Sequence, residues 1–192
     1  PERFAGLHFF NPVNRMPLVE IIPGEKTSDE TITSLVQMVR RIGKTPIVVQ
    51  NCPGFLVNRI LIPYMNEAAL ILQEGGEMER IDHLILGFGM PMGPFVLADE
   101  VGIDVGYHVA KILEAGYGER MKTAALLERV ATEEKWLGKK AGSGFYEHHG
   151  KEKIPHPDLP MIVDEVQDQL GLSPSLFSDQ TIIDRCILSM VN

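Results

Sequence analysis

The first 50 residues combine short apolar runs with one helical stripe. Residues 3–10 and 18–22 are largely apolar, which predicts two buried strands, and residues 46–50 form a third run rich in β-branched side chains. Between the second and third runs, apolar residues recur every three or four positions, which predicts a helix whose stripe is Ile32, Leu35, Val36, Val39 and Ile42. The predicted order is therefore β-β-α-β.

Both ends of that helix carry termination signals. Thr27 or Ser28 is the predicted N-cap, and Glu30 follows Thr27 by the spacing of a capping box. Gly43 is well placed to end the helix. We interpret residues 1–50 as the closing portion of an α/β domain whose earlier part is missing.

From Cys52 onward the pattern becomes helical, and we expect no further strands. Pro53 and Gly54 lead into a long apolar helix that is predicted to run to about Glu74, bent near Pro63 and ended by Gly75 and Gly76. It is followed by a shorter helix at 78–86 and by a loop of Gly, Pro and Met at 87–94. Three more helices are predicted at 95–101, 104–115 and 123–134, and Asp104 is the predicted N-cap of the middle one.

The remainder of the chain is less regular. Residues 138–146 are basic and rich in glycine, but they lack the Gly-x-Gly-x-x-Gly spacing and the strand–helix context of a nucleotide phosphate loop. Residues 148–160 are polar and contain prolines, which predicts a linker, and a short helix is expected at 161–170. Residues 184–192 repeat the pattern of residues 58–66, either by duplication or by chance similarity of two amphipathic helices.

Composition excludes several classes of protein. The 192 residues are 44% hydrophobic and 23% charged, as in an ordinary globular protein, and a net charge of −8 argues against a nucleic-acid surface. The two cysteines are far apart, which argues against a disulfide scaffold and suits a reducing compartment. With no apolar run long enough for a transmembrane segment, we expect a cytoplasmic protein.

His8 and Glu20 are the first candidates for chemistry. They lie on the two leading strands, and the loop between them is centred on Asn14. If the strands pair as a hairpin about Asn14, the two side chains lie opposite each other on one face. A carboxylate holds an imidazole in one tautomer and stabilises its charged form, as a general base near neutral pH requires. The alternative is a core histidine whose hydrogen bond is satisfied by a nearby acid.

Several motifs, in order along the chain, resemble the L-3-hydroxyacyl-CoA dehydrogenase family, and within it the long multifunctional members. They are residues 6–12 with 16–22, 43–49, 53–59, 91–94 with Asp99 and 102–104, and 142–146. The resemblance implies an α/β remnant, consisting of the closing strands and helix of a Rossmann-type NAD domain. An all-α helical dehydrogenase C-terminal domain then follows it.

The resemblance also implies boundaries. Residues 1–51 would be the C-terminal part of the NAD-binding domain and residues 52–147 the helical C-terminal domain. Residues 148–175 would be a linker, and residues 176–192 the start of a second, truncated helical repeat, which the short members of the family lack.

The implied reaction is oxidation of an L-3-hydroxyacyl-CoA to the 3-ketoacyl-CoA, with NAD as the hydride acceptor. His8 matches the family's catalytic base, Glu20 the carboxylate that orients it, and Asn58 the asparagine that hydrogen-bonds the substrate. For Asn58 the alternative is a polar helix residue meeting solvent. The long members imply an acyl-CoA thioester substrate, enoyl-CoA hydratase activity in the same protein and a thiolase β-subunit as partner; the apolar helices would suit a homo-oligomer.

One departure limits this interpretation. The family's glycine-rich loop for the NAD pyrophosphate is absent from the sequence, so the cofactor-binding residues are unknown. A hydroxyl-bearing residue of the family that contacts the substrate, upstream of the histidine, is absent too. We therefore expect the chain alone neither to bind NAD measurably nor to turn over substrate.

Two other functions stay open. A non-catalytic structural or oligomerisation module could derive from a dehydrogenase, although it would not need His8, Glu20 and Asn58 together. A two-domain NAD(P) enzyme acting on free hydroxy acids usually has a lysine as base where Asn58 stands. No metal site is predicted, because the remaining histidines lack a convincing ligand spacing. Met90 and Met92 could line an acyl pocket or pack in the core, and the basic clusters 40–44 and 139–140 could meet an anion or solvent.

Overall fold

The computed structural model describes residues 1–150 and 152–191. The chain divides into two compact units, Pro1–Arg59 and Ile60–Asn192, and each is described by itself. The division falls within the first turn of a long helix, α2 (Val57–Gln73).

The first unit is a three-stranded sheet with one helix against it. Strand β1 (Ala5–Phe9) pairs antiparallel with β2 (Leu18–Pro23), and β2 pairs in parallel with β3 (Thr45–Val48). Helix α1 (Asp29–Arg41) connects β2 to β3 and packs on the sheet. The predicted β-β-α-β order is confirmed, and the core of the unit is built from Val19, Ile21 and Val39.

Details of this unit differ from the predictions. The strand predicted over residues 3–10 is shorter, and its side chains are half-buried rather than buried because β1 is an edge strand. Ser28 is the N-cap of α1 and accepts from the backbone N–H of Thr31 at 3.2 Å, whereas Thr27 bonds outside the helix. Ile42 follows the last helical turn and is exposed, so it does not belong to the buried stripe.

The second unit is mainly helical. After α2 the described residues form six more helices, with short 3₁₀ turns and one hairpin among them: α3 (Met78–Phe88), α4 (Pro94–Val101), α5 (Ile103–Tyr117), α6 (Ala125–Thr132), α7 (Leu159–Leu170) and α8 (Asp179–Val191). Apolar residues of all these helices, including Tyr64, Ile81, Phe95, Leu126, Ile162 and Ile182, form one buried core.

The prediction that strands end at residue 52 is wrong. Strands β4 (Tyr146–His149) and β5 (Glu152–Pro155) form an antiparallel hairpin. All four side chains of β5 are exposed, and only Ile154 and Pro155 are apolar, so this strand shows no alternating apolar pattern in the sequence. The short helix expected at 161–170 is present as α7, two residues longer at its start, and Leu159, Ile162 and Val166 of α7 are buried.

Two buried carboxylates join the loops of this unit. Asp99 accepts from the backbone N–H groups of Phe145 and Tyr146, each at 2.9 Å, and bonds the His148 ring at 2.8 Å. Asp82 accepts from the Tyr146 hydroxyl at 2.7 Å. Burial raises the pKa of Asp99, and the hydrogen bonds from Tyr146, His148 and Phe145 oppose that rise. The glycine-rich segment 138–146 therefore wraps a buried acid.

Helix α8 is held on the rest of the unit by buried apolar residues and by ion pairs. Ile182 and Cys186 are fully buried, and Arg185 donates to Glu67 at 2.5 Å and to Glu74 at 2.6 Å, both on α2. This helix contains the segment that repeats residues 58–66, except for its last position, Asn192, which lies outside the described residues. In the described ranges, no helix has the length and apolarity needed to cross a membrane.

Candidate active site

His8 and Glu20 face each other across the β1–β2 hairpin, as the spacing about Asn14 predicts. Their Cα atoms are register partners, and His8 Nδ1 lies 2.7 Å from Glu20 Oε2. Glu20 is fully buried, whereas the His8 side chain is 31% exposed. Because an ionised carboxylate only accepts hydrogen bonds, Nδ1 of His8 carries the hydrogen. A neutral His8 ring therefore keeps the lone pair of Nε2 available for a ligand.

The second oxygen of Glu20 binds the start of helix α2. Glu20 Oε1 accepts from the backbone N–H groups of Leu56 at 2.9 Å and Val57 at 3.0 Å. The first N–H groups of a helix lack partners within the helix, and their positive field favours a carboxylate. The buried charge of Glu20 is thus matched by three donors, which fix its orientation toward His8.

Asn58 follows directly after the amides that Glu20 binds. It is the second residue of α2 and is half-buried, and its side chain makes no hydrogen bond within the described ranges. The carboxylate that orients His8 therefore also anchors the helical turn that carries Asn58. The structure joins two of the predicted site residues directly and ties the third to them through the backbone of α2.

Two aromatic rings beside His8 are additional members of the site. The Phe10 ring lies 4.6 Å from the imidazole and the Phe55 ring 5.7 Å away, both tilted. Neither residue was predicted to belong to the site. The position of Phe10 beside His8 could have been predicted, because residues two apart on an extended chain share a face. Phe55 depends on the fold of the loop before α2, for which the sequence offers no periodic signal.

The other candidates have partners of their own. Lys44 donates to the backbone carbonyls of Val13 at 2.5 Å and Met16 at 2.7 Å, so it braces the hairpin loop. Lys139 and Lys140 pair with acids, Glu100 and Asp104, and that pairing, rather than an N-cap, is the role of the Asp104 side chain. His156 stacks on Trp136. Over residues 1–150 and 152–191, no group of three or more His, Cys, Asp or Glu side chains could hold a metal ion.

The chain combines an α/β unit that carries a histidine–carboxylate pair with a mainly helical unit. Residues 1–52 match the model of the 3-hydroxyacyl-CoA dehydrogenase NAD binding domain, and residues 54–148 match the model of the 3-hydroxyacyl-CoA dehydrogenase C-terminal domain. The chain belongs to the 3-hydroxyacyl-CoA dehydrogenase family. The predicted fold class, a Rossmann-type remnant followed by a helical domain, is confirmed.

Curated relatives match the whole chain. The fatty acid oxidation complex subunit alpha of Shewanella halifaxensis is 46% identical over 193 residues, which is 100% of this chain and 26% of that protein. The subunit alpha of Vibrio cholerae is 45% identical over 193 residues, again 100% of this chain and 26% of that protein. The chain thus spans about a quarter of the length of the curated relatives that it matches.

Solved structures share the fold. The (S)-3-hydroxybutyryl-CoA dehydrogenase of Ralstonia eutropha is 42% identical with a TM-score of 0.73, covering 77% of this chain and 53% of that one. The dehydrogenase part of multifunctional enzyme 1 from C. elegans is 31% identical with a TM-score of 0.66, covering 98% of this chain and 42% of that one.

Proposed function

We propose that the complete protein carrying this sequence oxidises L-3-hydroxyacyl-CoA thioesters to 3-ketoacyl-CoA thioesters, with His8 as the general base. The observation that supports this most is the hydrogen bond between His8 Nδ1 and Glu20. The Nδ1 atom is bonded to a buried carboxylate at 2.7 Å, and that carboxylate is itself held by two backbone amides. Such an arrangement orients a base before substrate arrives and needs no reorganisation during the reaction.

The proton balance assigns each residue a step. His8 Nε2 accepts the proton of the 3-hydroxyl group as its O–H bond breaks, the C–H electron pair leaves as hydride, and the carbon–oxygen double bond forms. The imidazolium that results is stabilised by the Glu20 carboxylate, 2.7 Å from Nδ1. Asn58 is proposed to hydrogen-bond the substrate near the reacting carbon. A positioned base of this kind contributes about 10²–10⁴-fold in rate.

NAD, when bound, supplies the hydride acceptor. The residues of this chain do not provide its phosphate cradle, because the Gly-x-Gly-x-x-Gly turn is absent from the sequence. Residues 1–51 are proposed to be the closing part of the NAD domain, so that the cradle lies outside these residues. Isothermal titration of NAD into this chain should give no measurable heat of binding, and micromolar binding would contradict the assignment.

The subunit alpha relatives support further proposals about the complete protein. It would act in fatty-acid β-oxidation in the cytoplasm, carry enoyl-CoA hydratase activity elsewhere in its sequence and bind a thiolase β-subunit. Residues 52–147 would form the helical dehydrogenase domain, through which a homo-oligomer could assemble, and residues 176–192 would begin a second helical repeat. The match of the chain's full length to those relatives carries these proposals.

A substrate comparison tests the activity. The complete protein is assayed by NADH absorbance with the L and D isomers of a 3-hydroxyacyl-CoA and with the corresponding free 3-hydroxy acid. We expect turnover of the L thioester alone. Oxidation of the free acid without the thioester would instead favour a hydroxy-acid dehydrogenase, and no oxidation of any of them would overturn the proposal.

A further inference from the structure

Phe55 has an unusual backbone conformation at the point where the chain enters helix α2. Its φ is +49°, and Gly54 before it has φ +72°, so two successive residues are left-handed. A bulky side chain is uncommon in that region, because its Cβ crowds the following carbonyl oxygen. Glycine adopts the region freely, which explains Gly54 but not Phe55.

The left-handed turn has a direct consequence for Glu20. Successive backbone N–H groups in a turn that includes left-handed residues form a concave nest that binds an anion. The two N–H groups after Phe55, those of Leu56 and Val57, both point at Glu20 Oε1, at 2.9 and 3.0 Å. In this protein the anion in the nest is the carboxylate that holds His8.

We propose that Phe55 is a positioning residue whose left-handed backbone aims these two amides at Glu20 and so sets the tautomer of His8. Its ring, 5.7 Å from the imidazole, packs beside His8 and gives the loop a second attachment to the same site. An effect of Phe55 on catalysis rests on the proposed function, whereas its effect on the tautomer does not. The residues that carry it all lie in the unit Pro1–Arg59.

The backbone role and the ring role can be separated by substitution. Phe55→Gly removes the ring but keeps access to positive φ, whereas Phe55→Val removes the ring and strongly disfavours positive φ. Phe55→Ala is intermediate. Lys135, in the second unit, is the other non-glycine residue with positive φ within the described ranges, at +56°, so Lys135→Val is a control that imposes a similar backbone penalty outside the unit of His8.

The tautomer of His8 is read from imidazole ¹⁵N spectra of this chain, with the His8 signals assigned by their loss in His8→Gln. We expect His8 to keep its hydrogen on Nδ1 in Phe55→Gly and Lys135→Val. In Phe55→Val we expect a mixture of the two tautomers, and in Phe55→Ala a smaller fraction of the second tautomer. If Phe55→Val does not fold, the comparison of Gly with Ala decides. An unchanged His8 tautomer throughout the Phe55 series would overturn the proposal. An equal loss of the Nδ1–H tautomer in Phe55→Gly and Phe55→Val would also overturn it, because the ring would then be responsible.

Kinetics of the complete protein provide the second measurement. We expect kcat to fall roughly 10- to 100-fold in Phe55→Val, as for a small misplacement of a catalytic group, with KM nearly unchanged and kcat largely restored in Phe55→Gly. Equal kcat values in Phe55→Val and Phe55→Gly would contradict the positioning role. If the unsubstituted protein oxidises no 3-hydroxyacyl-CoA, the proposed function fails, while the ¹⁵N spectra still decide whether Phe55 sets the tautomer.

Discussion

Replacing Glu20 by glutamine should reverse the tautomer of His8. The Glu20 carboxylate accepts three hydrogen bonds, two from the α2 amides and one from His8 Nδ1. A glutamine oxygen turned toward the amides keeps two of these bonds, whereas the opposite orientation keeps only one and sets its NH₂ group against two N–H donors. The first orientation is therefore favoured, and its NH₂ group faces His8 Nδ1, which then accepts and forces the hydrogen onto Nε2.

The size of the effect follows from these bonds. A hydrogen bond to a charged group contributes about 1.5–3 kcal/mol, and Glu20→Gln weakens all three without leaving a buried donor unpaired, so we expect a loss of about 1–3 kcal/mol of stability. The effect on turnover should be much larger, since the comparable carboxylate-to-amide change in the serine-protease triad lowers kcat by about 10⁴-fold through the wrong tautomer.

Two assays measure these effects. Imidazole ¹⁵N spectra report the tautomer and urea unfolding reports the stability, with Glu30→Gln on the exposed face of α1 as the matched control, expected to change stability by less than about 0.5 kcal/mol. A His8 ring that keeps its hydrogen on Nδ1 in Glu20→Gln would refute the reasoning.

Other predictions test single features. Asn58→Ala should lower kcat/KM of the complete protein about 10-fold, the value of one hydrogen bond, without changing the melting temperature; an unchanged kcat/KM would remove Asn58 from the substrate site. Asp99→Asn leaves a buried donor unpaired and should cost about 2–4 kcal/mol in urea unfolding, against less than about 1 kcal/mol for the exposed Asp104→Asn; equal costs would contradict the role of Asp99. Burial raises the pKa of Cys186 to about 12, so iodoacetamide should modify Cys52 first at pH 8, as mass spectrometry of the native chain would show; prior modification of Cys186 would contradict its burial.

The sequence predicts the part of the site whose residues lie close together along the chain. His8 and Glu20 are joined by a short hairpin, and hairpin pairing is set by symmetry about the loop, so spacing alone places them opposite each other. The attachment of Glu20 to Leu56 and Val57 spans 36 and 37 residues and depends on the path of the loop that precedes α2. Such a long-range contact leaves no periodic mark in the sequence.

In the fold as well, elements with a periodic apolar pattern were predicted and an element without one was missed. Helices with a buried stripe, such as α1, were predicted with nearly correct ends because burial imposes a period of 3.6. The β4–β5 hairpin was missed because all four side chains of β5 are exposed, so the strand has no buried apolar face that would leave a pattern in the sequence. Residues 148–160 therefore had the composition of a linker, although Glu152–Pro155 form a strand.

The account depends most directly on His8 as the base. In the complete protein, single-turnover oxidation of an L-3-hydroxyacyl-CoA by NAD should be at least about 10²-fold slower in His8→Ala than in the unsubstituted protein. His83→Ala, an exposed histidine on α3, should keep the normal rate. A near-normal rate in His8→Ala would contradict the account.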